Sequence, residues 1–280
     1  MNRIPICYCG NKKIFGGIFM SVLSVVEHCR EPIEIILLTM DLSEKNPAYV
    51  PFVEEQRLLL EKTLKEYNPE SIARIIDVTE LQHKYFDKAK NQKNSYTPYA
   101  SIRLFLDELE VPEKLIYLDA DIMCAKSIRE LYDTDISRHE FGAVLDIVGH
   151  RFFPKQYCNS GVLLLNLGMI KKTGLFTKAK ELVKRRALMM PDQSALNMKC
   201  ISKLVLPYKF NEQRAIKEDT VIKHFCMGYK WKGVLLTRYN HKQWHRKAVH
   251  EELGIHCFDK IFEIYDKILA EENNRELIEI

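Results

Sequence analysis

Five short apolar runs divide the first half of the chain: IPICYC (4–9), IEIILLT (33–39), ARIIDV (73–78), KLIYLD (114–119) and FGAVLD (141–146). A strand with one wet face alternates apolar and polar residues, whereas most of these runs are apolar at consecutive positions, as strands covered on both faces are. Between them lie segments with helical apolar spacing, IFGGIFMSVLSVVEHC (14–29), FVEEQRLLLEKTLKEY (52–67) and YASIRLFLDEL (99–109). Strands and helices in alternation predict an α/β fold on a mixed, mostly parallel sheet. Ligands of such sheets sit beyond the carboxyl ends of the strands, where the strand order reverses. The runs end in CGNKK, IDV, LDAD and VLDIVG, which gathers polar groups at that edge.

The second half is less regular. YCNSGVLLLNL (157–167) reads as a strand entered through a turn, MPDQSALNMKC (190–200) as a helix starting at Pro191 and Asp192, and TVIKHFC (220–226) as a strand. The tail HCFDKIFEIYDKILAEE puts Phe258, Ile261, Phe262, Tyr265, Ile268 and Leu269 on one helical stripe suited to core packing. With 46% hydrophobic residues in 280, the chain can bury one large core and a small appendage. We place the main domain at 1–235 and a C-terminal basic, aromatic and helical extension at 236–280.

Charge narrows the function. The excess of 42 basic over 38 acidic residues is four, and TRYNHKQWHRKAVH (237–250) holds Arg238, Lys242, Arg246 and Lys247 without an acid. The rest of the chain is balanced, which argues against a nucleic-acid binder with basic residues spread over a face. The eight cysteines form no C-x-x-C pair, and MNRIPICYCGNKKIF has no signal-peptide pattern. The longest apolar run, SGVLLLNLGMI, is about half of what a membrane span needs. The expectation is a cytoplasmic protein with reduced thiols.

In KLIYLDADIMC the chain drives an apolar strand into Asp119-Ala120-Asp121. In extended backbone two carboxylates two residues apart point to one face, and they repel unless a cation lies between them or one is protonated. A divalent cation such as Mn²⁺ or Mg²⁺ answers that, because it takes oxygen ligands and shares them with phosphates. A turn whose aspartate caps the helix SIRELY answers it as well. So does a phosphatase of the haloacid dehalogenase type, with Asp119 as nucleophile. That motif, however, normally opens the first core strand and continues with Thr or Val where Met123 stands, and here a long α/β segment precedes it.

The segment YASIRLFLDELEVPEKLIYLDADIMCAKSIRELYDTD resembles the retaining glycosyltransferases of family eight, which include bacterial lipopolysaccharide galactosyl- and glucosyltransferases and glycogenin. Its pattern is an Arg, a short helix and an apolar strand ending L-D-x-D. Four more segments resemble that family in the right order: CYCGNKK, NSGVLLLNL, PDQSALN and HFCMGYKW. Together they cover roughly residues 4 to 231. The resemblance implies a Rossmann-like nucleotide-diphospho-sugar transferase fold, GT-A. It implies an enzyme that moves galactose or glucose from a UDP-sugar, with retention, to a glycan or lipid-linked saccharide acceptor.

Residue by residue, the resemblance implies that Asp119, Asp121 and His224 hold Mn²⁺ (or Mg²⁺) against the donor diphosphate. The backbone at Ala120 would lie near the ribose, and Lys230 would neutralise the β-phosphate as the sugar leaves. Asn159, Ser160, Asp192 and Gln193 match positions around the donor sugar, with Arg103 orienting Asp192 or the phosphate. Gln193 falls beneath the reactive carbon, where an amide is a poor nucleophile compared with the carboxylate of a retaining glycosidase. That favours front-face displacement, with Asp192 and Gln193 as the catalytic residues. Cys9, Gly10, Asn11 and Lys13 form the N-terminal donor loop, with Asn11 in place of the family's usual acidic acceptor for the base. Gly228 stands one residue beyond the family's glycine position, which is Met227, and no proline follows Lys230. Asp146 matches a position near the sugar or acceptor. A nucleotide-sugar binder that has lost transfer is the non-enzyme alternative, and Tyr239 and Trp244 among basic residues suit either a solvated loop or an anionic membrane surface.

Overall fold

The computed structural model describes residues 3–87, 89, 98–153, 156–232, 235–271 and 274–278, with backbone alone at 152, 229–232 and 235–236. Its strands are β1 (Ile4–Cys9), β2 (Ile33–Thr39), β3 (Ile72–Asp77), β4 (Lys114–Leu118), β5 (Ile122–Cys124), β6 (Phe141–Leu145), β7 (Cys158–Asn166), β8 (Lys203–Val205), β9 (Ile222–His224), β10 (Gly228–Lys232) and β11 (Leu235–Tyr239). Seven of them form one sheet in the order β3-β2-β1-β4-β7-β6-β8. The first three pair in parallel moving outward, and β4 returns to lie parallel on the other side of β1. Strand order therefore reverses between β1 and β4. Next to β4, strand β7 runs antiparallel, and it is antiparallel to β6 as well. The strands β5 and β9 form a small antiparallel pair beside the sheet, as do β10 and β11.

The continuous apolar runs have a direct cause. In β1, Ile4, Ile6 and Tyr8 enter one core while Cys7 and Cys9 enter the other; in β4, Ile116 and Leu118 oppose Leu115 and Tyr117. A period of two thus feeds two apolar layers rather than one layer and solvent. The first core takes the helices Phe15–His28, Glu54–Tyr67 and Asp259–Leu269. The tail stripe is part of it: Phe258, Ile261, Phe262 and Tyr265 are buried, and Tyr265 meets Phe19 edge-on at 6.2 Å. Each such side chain contributes on the order of 1.5–3 kcal/mol of burial. The second core takes Leu175–Arg185, Pro191–Lys199 and the segment Pro98–Glu108.

That last segment departs from expectation. It winds as a 3-10 helix rather than an α-helix, and runs of this length are uncommon in so tight a winding. Within it the Ala100 carbonyl accepts a bond from the side chain of Arg103 at 2.8 Å. A second departure lies at the aspartates. β4 stops at Leu118, and residues 119–121 make a turn before β5 instead of extending the strand. Cysteines among the described residues are free thiols, and no described helix is long and apolar enough to cross a membrane.

Candidate active site

The reversal between β1 and β4 fixes which chain segments can meet. Because β7 is antiparallel to β4, its first residues lie beside the end of β4: Leu118 pairs with Val162, and the Asp119 N–H donates to the Gly161 carbonyl at 2.8 Å. The end of β6 pairs there too, Leu145 opposite Cys158, and Asp146 beyond it donates its N–H to the Tyr157 carbonyl while its carboxylate reaches Asn159. The helix Pro191–Lys199 starts at the same place with Asp192 and Gln193, and β9 delivers His224 by pairing with Ile122. Residues more than one hundred positions apart in sequence thereby share one polar centre.

Asp119 Oδ1 accepts from Arg103 Nη2 at 2.9 Å and from the Tyr117 hydroxyl at 2.7 Å. Asp121 Oδ1 stands 3.1 Å from His224 Nε2, and its Oδ2 takes the Lys242 ammonium. The tautomer of His224 is set by a backbone group. The Gly161 N–H donates to Asn159 Oδ1 at 2.9 Å, so Asn211 must present Nδ2 to that same oxygen, also at 2.9 Å. This turns Asn211 Oδ1 toward His224 Nδ1 at 3.1 Å, and Nδ1 is the ring nitrogen that carries hydrogen. A neutral ring then presents the Nε2 lone pair to a carboxylate oxygen, and a cation or a proton has to lie between them. One donor atom from each of Asp119, Asp121 and His224 falls within 4.8 Å of the others. Two carboxylates and an imidazole with its second nitrogen tied back suit Mn²⁺, so the residues fit the divalent cation that the sequence implies.

The remaining polar residues form a chain of bonds. Asn159 Nδ2 and Gln193 Nε2 both donate to Asp146 Oδ2, at 3.1 and 3.2 Å, while the Val148 and Gly149 N–H groups hold Asp146 Oδ1. Gln193 Oε1 accepts from the Ser160 N–H at 3.0 Å. The single Ser160 hydroxyl proton has two acceptors in reach, Asp192 Oδ2 at 3.2 Å and Gln193 Oε1 at 3.3 Å. Arg103 closes the chain, with Nε 3.3 Å from Asp192 Oδ2, Nη1 donating to the Ser160 carbonyl, and the guanidinium stacked 3.9 Å over Tyr117. From His224 through Asn211, Asn159, Asp146, Gln193, Ser160, Asp192 and Arg103 to Asp119, each residue touches the next.

Electrostatics sort these groups. Burial opposes the charge on Asp121, but His224 and Lys242 outweigh it and hold the carboxyl well below the usual range. Burial raises Asp192 above its ordinary value, with Arg103 pulling the other way and Asp119 adding to the rise. Burial likewise keeps Tyr117 a phenol that donates to Asp119, and Cys9 a thiol beside Cys7. Arg103 is buried, yet Asp119 and Asp192 hold it firmly protonated.

The structure brings Arg103, Asp119, Asp121, Asp146, Asn159, Ser160, Asp192, Gln193 and His224 together. In the N-terminal loop, the Cys9 thiol lies near enough to Arg103 and Asp119 to feel their charge. Asn11 uses its amide for structure, donating to the Ala48 carbonyl at 3.0 Å and capping the turn Lys12–Ile14 through the Ile14 N–H. Gly10 is packed so that a Cβ would lie 2.5 Å from Ile14 Cγ2, and Lys13 is exposed. Gly228 lets the Tyr239 ring approach across the hairpin, where a Cβ would lie 2.4 Å from Tyr239 Cζ. Lys230 pairs in register with Thr237, and its side chain lies outside the described residues.

Two expectations need correcting. The Asp119–Asp121 pair is a turn, so turn and metal site are not exclusive: the turn splays the carboxylates toward Arg103 on one side and His224 on the other. The basic segment, expected as a solvated or membrane-facing loop, is partly drawn into the site. The amide of Gln243, fully buried, donates to the Ala120 carbonyl at 2.7 Å and the Gly17 carbonyl at 3.3 Å. Trp244 covers Gly17, where a Cβ would lie 2.7 Å from its ring. The cause is a turn that leaves a carbonyl and a carboxylate needing partners. Arg238, His245 and Lys247 remain exposed. Sequence reasoning misses Tyr117, Asn211, Lys242 and Gln243 as site residues, and only the local charge of 237–250 hints at Lys242.

A family model for glycosyl transferase family 8 matches residues 5–233. Probable glycosyl transferase Gly of Streptococcus gordonii is 32% identical over 120 residues, 42% of this chain and 17% of that protein. Lipopolysaccharide 1,3-galactosyltransferase of Salmonella typhimurium is 26% identical over 191 residues, 61% of this chain and 56% of that one. The chain thus matches only a small part of the streptococcal relative. Among solved structures, galactosyltransferase LgtC with donor and acceptor sugar analogs superposes with a TM-score of 0.71 at 18% identity, covering 97% of this chain and 99% of that one. The glycosyltransferase GlyE of Streptococcus pneumoniae does so with 0.61 at 17%, covering 95% and 64%. The fold is the GT-A fold of these neighbours, and the chain belongs to glycosyl transferase family 8.

Proposed function

We propose that this chain is a metal-dependent hexosyltransferase that moves galactose or glucose from a UDP-sugar to a saccharide or lipid-linked glycan acceptor, with retention at the anomeric carbon. The observation that carries the reading is the unbroken run of contacts from Asp121 through His224 to Asp119, because it ties the three cation ligands to the amides and carboxylates at the start of the Pro191–Lys199 helix. Relatives named for 1,3-galactosyl and 1,2-glucosyl transfer to lipopolysaccharide support the choice of hexose and acceptor class.

Asp119, Asp121 and His224 hold Mn²⁺ (or Mg²⁺), which when bound offsets the charge of the donor diphosphate. Arg103 fixes Asp119 and Asp192 through one guanidinium, and Asp192 accepts from the sugar hydroxyls. The Gln193 amide is held on both sides, Oε1 by Ser160 and Nε2 by Asp146. An amide so held neither attacks carbon nor takes a proton, so it stabilises positive character on the sugar. The bond from the anomeric carbon to the β-phosphate oxygen breaks, and the acceptor oxygen bonds to the same face. The departing oxygen takes the acceptor proton, with Lys230 neutralising the charge left there. Asp119 as a phosphatase nucleophile fits less well, since one of its oxygens already accepts from both Arg103 and Tyr117.

Thermal melts with UDP, with and without Mn²⁺, test the reading, because a ligand of the native state alone raises stability. UDP is expected to stabilise the protein only with Mn²⁺, and slow release of hexose from UDP-galactose or UDP-glucose separates an enzyme from a binder. No response to UDP, together with a phosphatase activity lost in Asp119→Ala, would reverse it. Asn211 offers a finer check. Asn211→Ala removes the acceptor that orients His224, and Mn²⁺ affinity should fall by about 10- to 100-fold. Calorimetric titration with Mn²⁺ reads this, and an unchanged affinity would mean that the ring needs no such guide.

A further inference from the structure

We infer that Lys242 is a built-in rival of the divalent cation at Asp121, so that metal loading is coupled to release of the Lys242 ammonium. This rests on the metal-site reading of Asp119, Asp121 and His224. The Lys242 ammonium donates to Asp121 Oδ2 and, at 3.0 Å, to the Phe225 carbonyl. It therefore stands on the carboxylate whose other oxygen faces His224 Nε2. Its neighbours make this a positioned charge rather than a wandering surface lysine. Gln243 is 0% exposed and bonded to the Ala120 carbonyl inside the aspartate turn, and Trp244 is seated on Gly17.

Each carboxylate already has a cationic partner. Arg103 answers Asp119, and Lys242 answers Asp121. A dication arriving alone meets Asp121 already neutralised, and it has to lift the ammonium off that carboxylate or share it. A dication arriving with a diphosphate brings negative charge of its own, and the released ammonium, kept close because the adjacent Gln243 is anchored in the aspartate turn, gains a new partner. Metal and diphosphate thus bind with positive coupling, which by linkage acts equally on both. The docked arrangement also carries a cost. Gln243 Oε1 is enclosed and has no hydrogen-bond partner among the described residues, a cost that only the docked arrangement bears.

The test is Mn²⁺ binding by the full chain, read from the electron paramagnetic resonance of the free ion, with and without UDP. Lys242→Met and Lys242→Gln are expected to bind Mn²⁺ without UDP about tenfold more tightly than the natural chain, equal to about 1.4 kcal/mol. In both, the gain in Mn²⁺ affinity on adding UDP should shrink, while Lys242→Arg should keep the natural behaviour. A melting transition for each variant establishes that it is folded. Equal or weaker Mn²⁺ binding in both neutral variants would overturn the inference while leaving the metal site standing. If Asp121→Ala leaves Mn²⁺ binding unchanged, or the natural chain binds none even with UDP, the metal-site reading falls and takes the inference with it.

Discussion

Asp121→Asn is expected to lower release of hexose from its UDP-sugar on the order of a thousandfold at saturating Mn²⁺. The substitution keeps the shape and removes one charge. That charge is the one that His224 and Lys242 both face and that the protein keeps ionised against burial. A carboxamide is a weak ligand for a hard cation, so the diphosphate loses its counter-charge when the leaving group most needs it. Stability should move the other way from a simple relief of buried charge. Lys242 loses its carboxylate while its neighbour Gln243 stays bonded in the aspartate turn, and its partly buried ammonium, left with the Phe225 carbonyl, then costs about 1–3 kcal/mol. The paired measurement is therefore turnover and melting temperature on the same preparation. Turnover within about tenfold of the natural chain would remove Asp121 from the chemistry.

The fold was legible because its cause is local. Consecutive apolar residues in IPICYC and KLIYLD demand a cover on each face, and two cores are what β1 and β4 received. The candidate site was legible where a motif names its residues: Asp119, Asp121 and His224 lie close together, and Asp192 and Gln193 adjoin them through Arg103 and Ser160. What sequence could not show is which neighbour satisfies each polar atom. Asn211 follows a short 3-10 turn with no periodic pattern around it, and its role exists only because Gly161 fixes Asn159. Lys242 was visible as charge but not as destination, since its path is set by a carbonyl at Ala120 that only a turn exposes. An extended backbone through the aspartate pair fails for the same reason. A strand run says where apolar residues must go and nothing about where the strand stops.

Gly161→Ala should disable this site without altering one chemical group in it. A Cβ at Gly161 would lie 2.2 Å from His224 Cε1, 2.8 Å from His224 Nδ1 and 3.0 Å from Asp119 Oδ2. The backbone there is not in the left-handed region, so any effect is steric. The strand is held at this point by β4, where Leu118 pairs with Val162, and by the bonds of the Gly161 carbonyl and N–H to Asp119 and Asn159, while its ladder to β6 shifts register there. The imidazole must move instead, breaking its bond to Asn211 and carrying Nε2 away from Asp121. Overpacking of this kind costs about 1–3 kcal/mol, which lowers the melting temperature by about 2–4 °C per kcal/mol in a chain of this size. Mn²⁺ affinity should fall by at least about tenfold, as it does when a ligand's orientation is lost. Gly142→Ala in β6 supplies the comparison, since the three atoms nearest its Cβ are Leu206 carbons at 3.3 Å. That variant, whose nearest contacts are Leu206 carbons rather than His224 or Asp119, should keep Mn²⁺ affinity whatever it does to stability. Equal Mn²⁺ affinity in both glycine variants and the natural chain would show that His224 ligates nothing, and the cation would then rest on the aspartates alone.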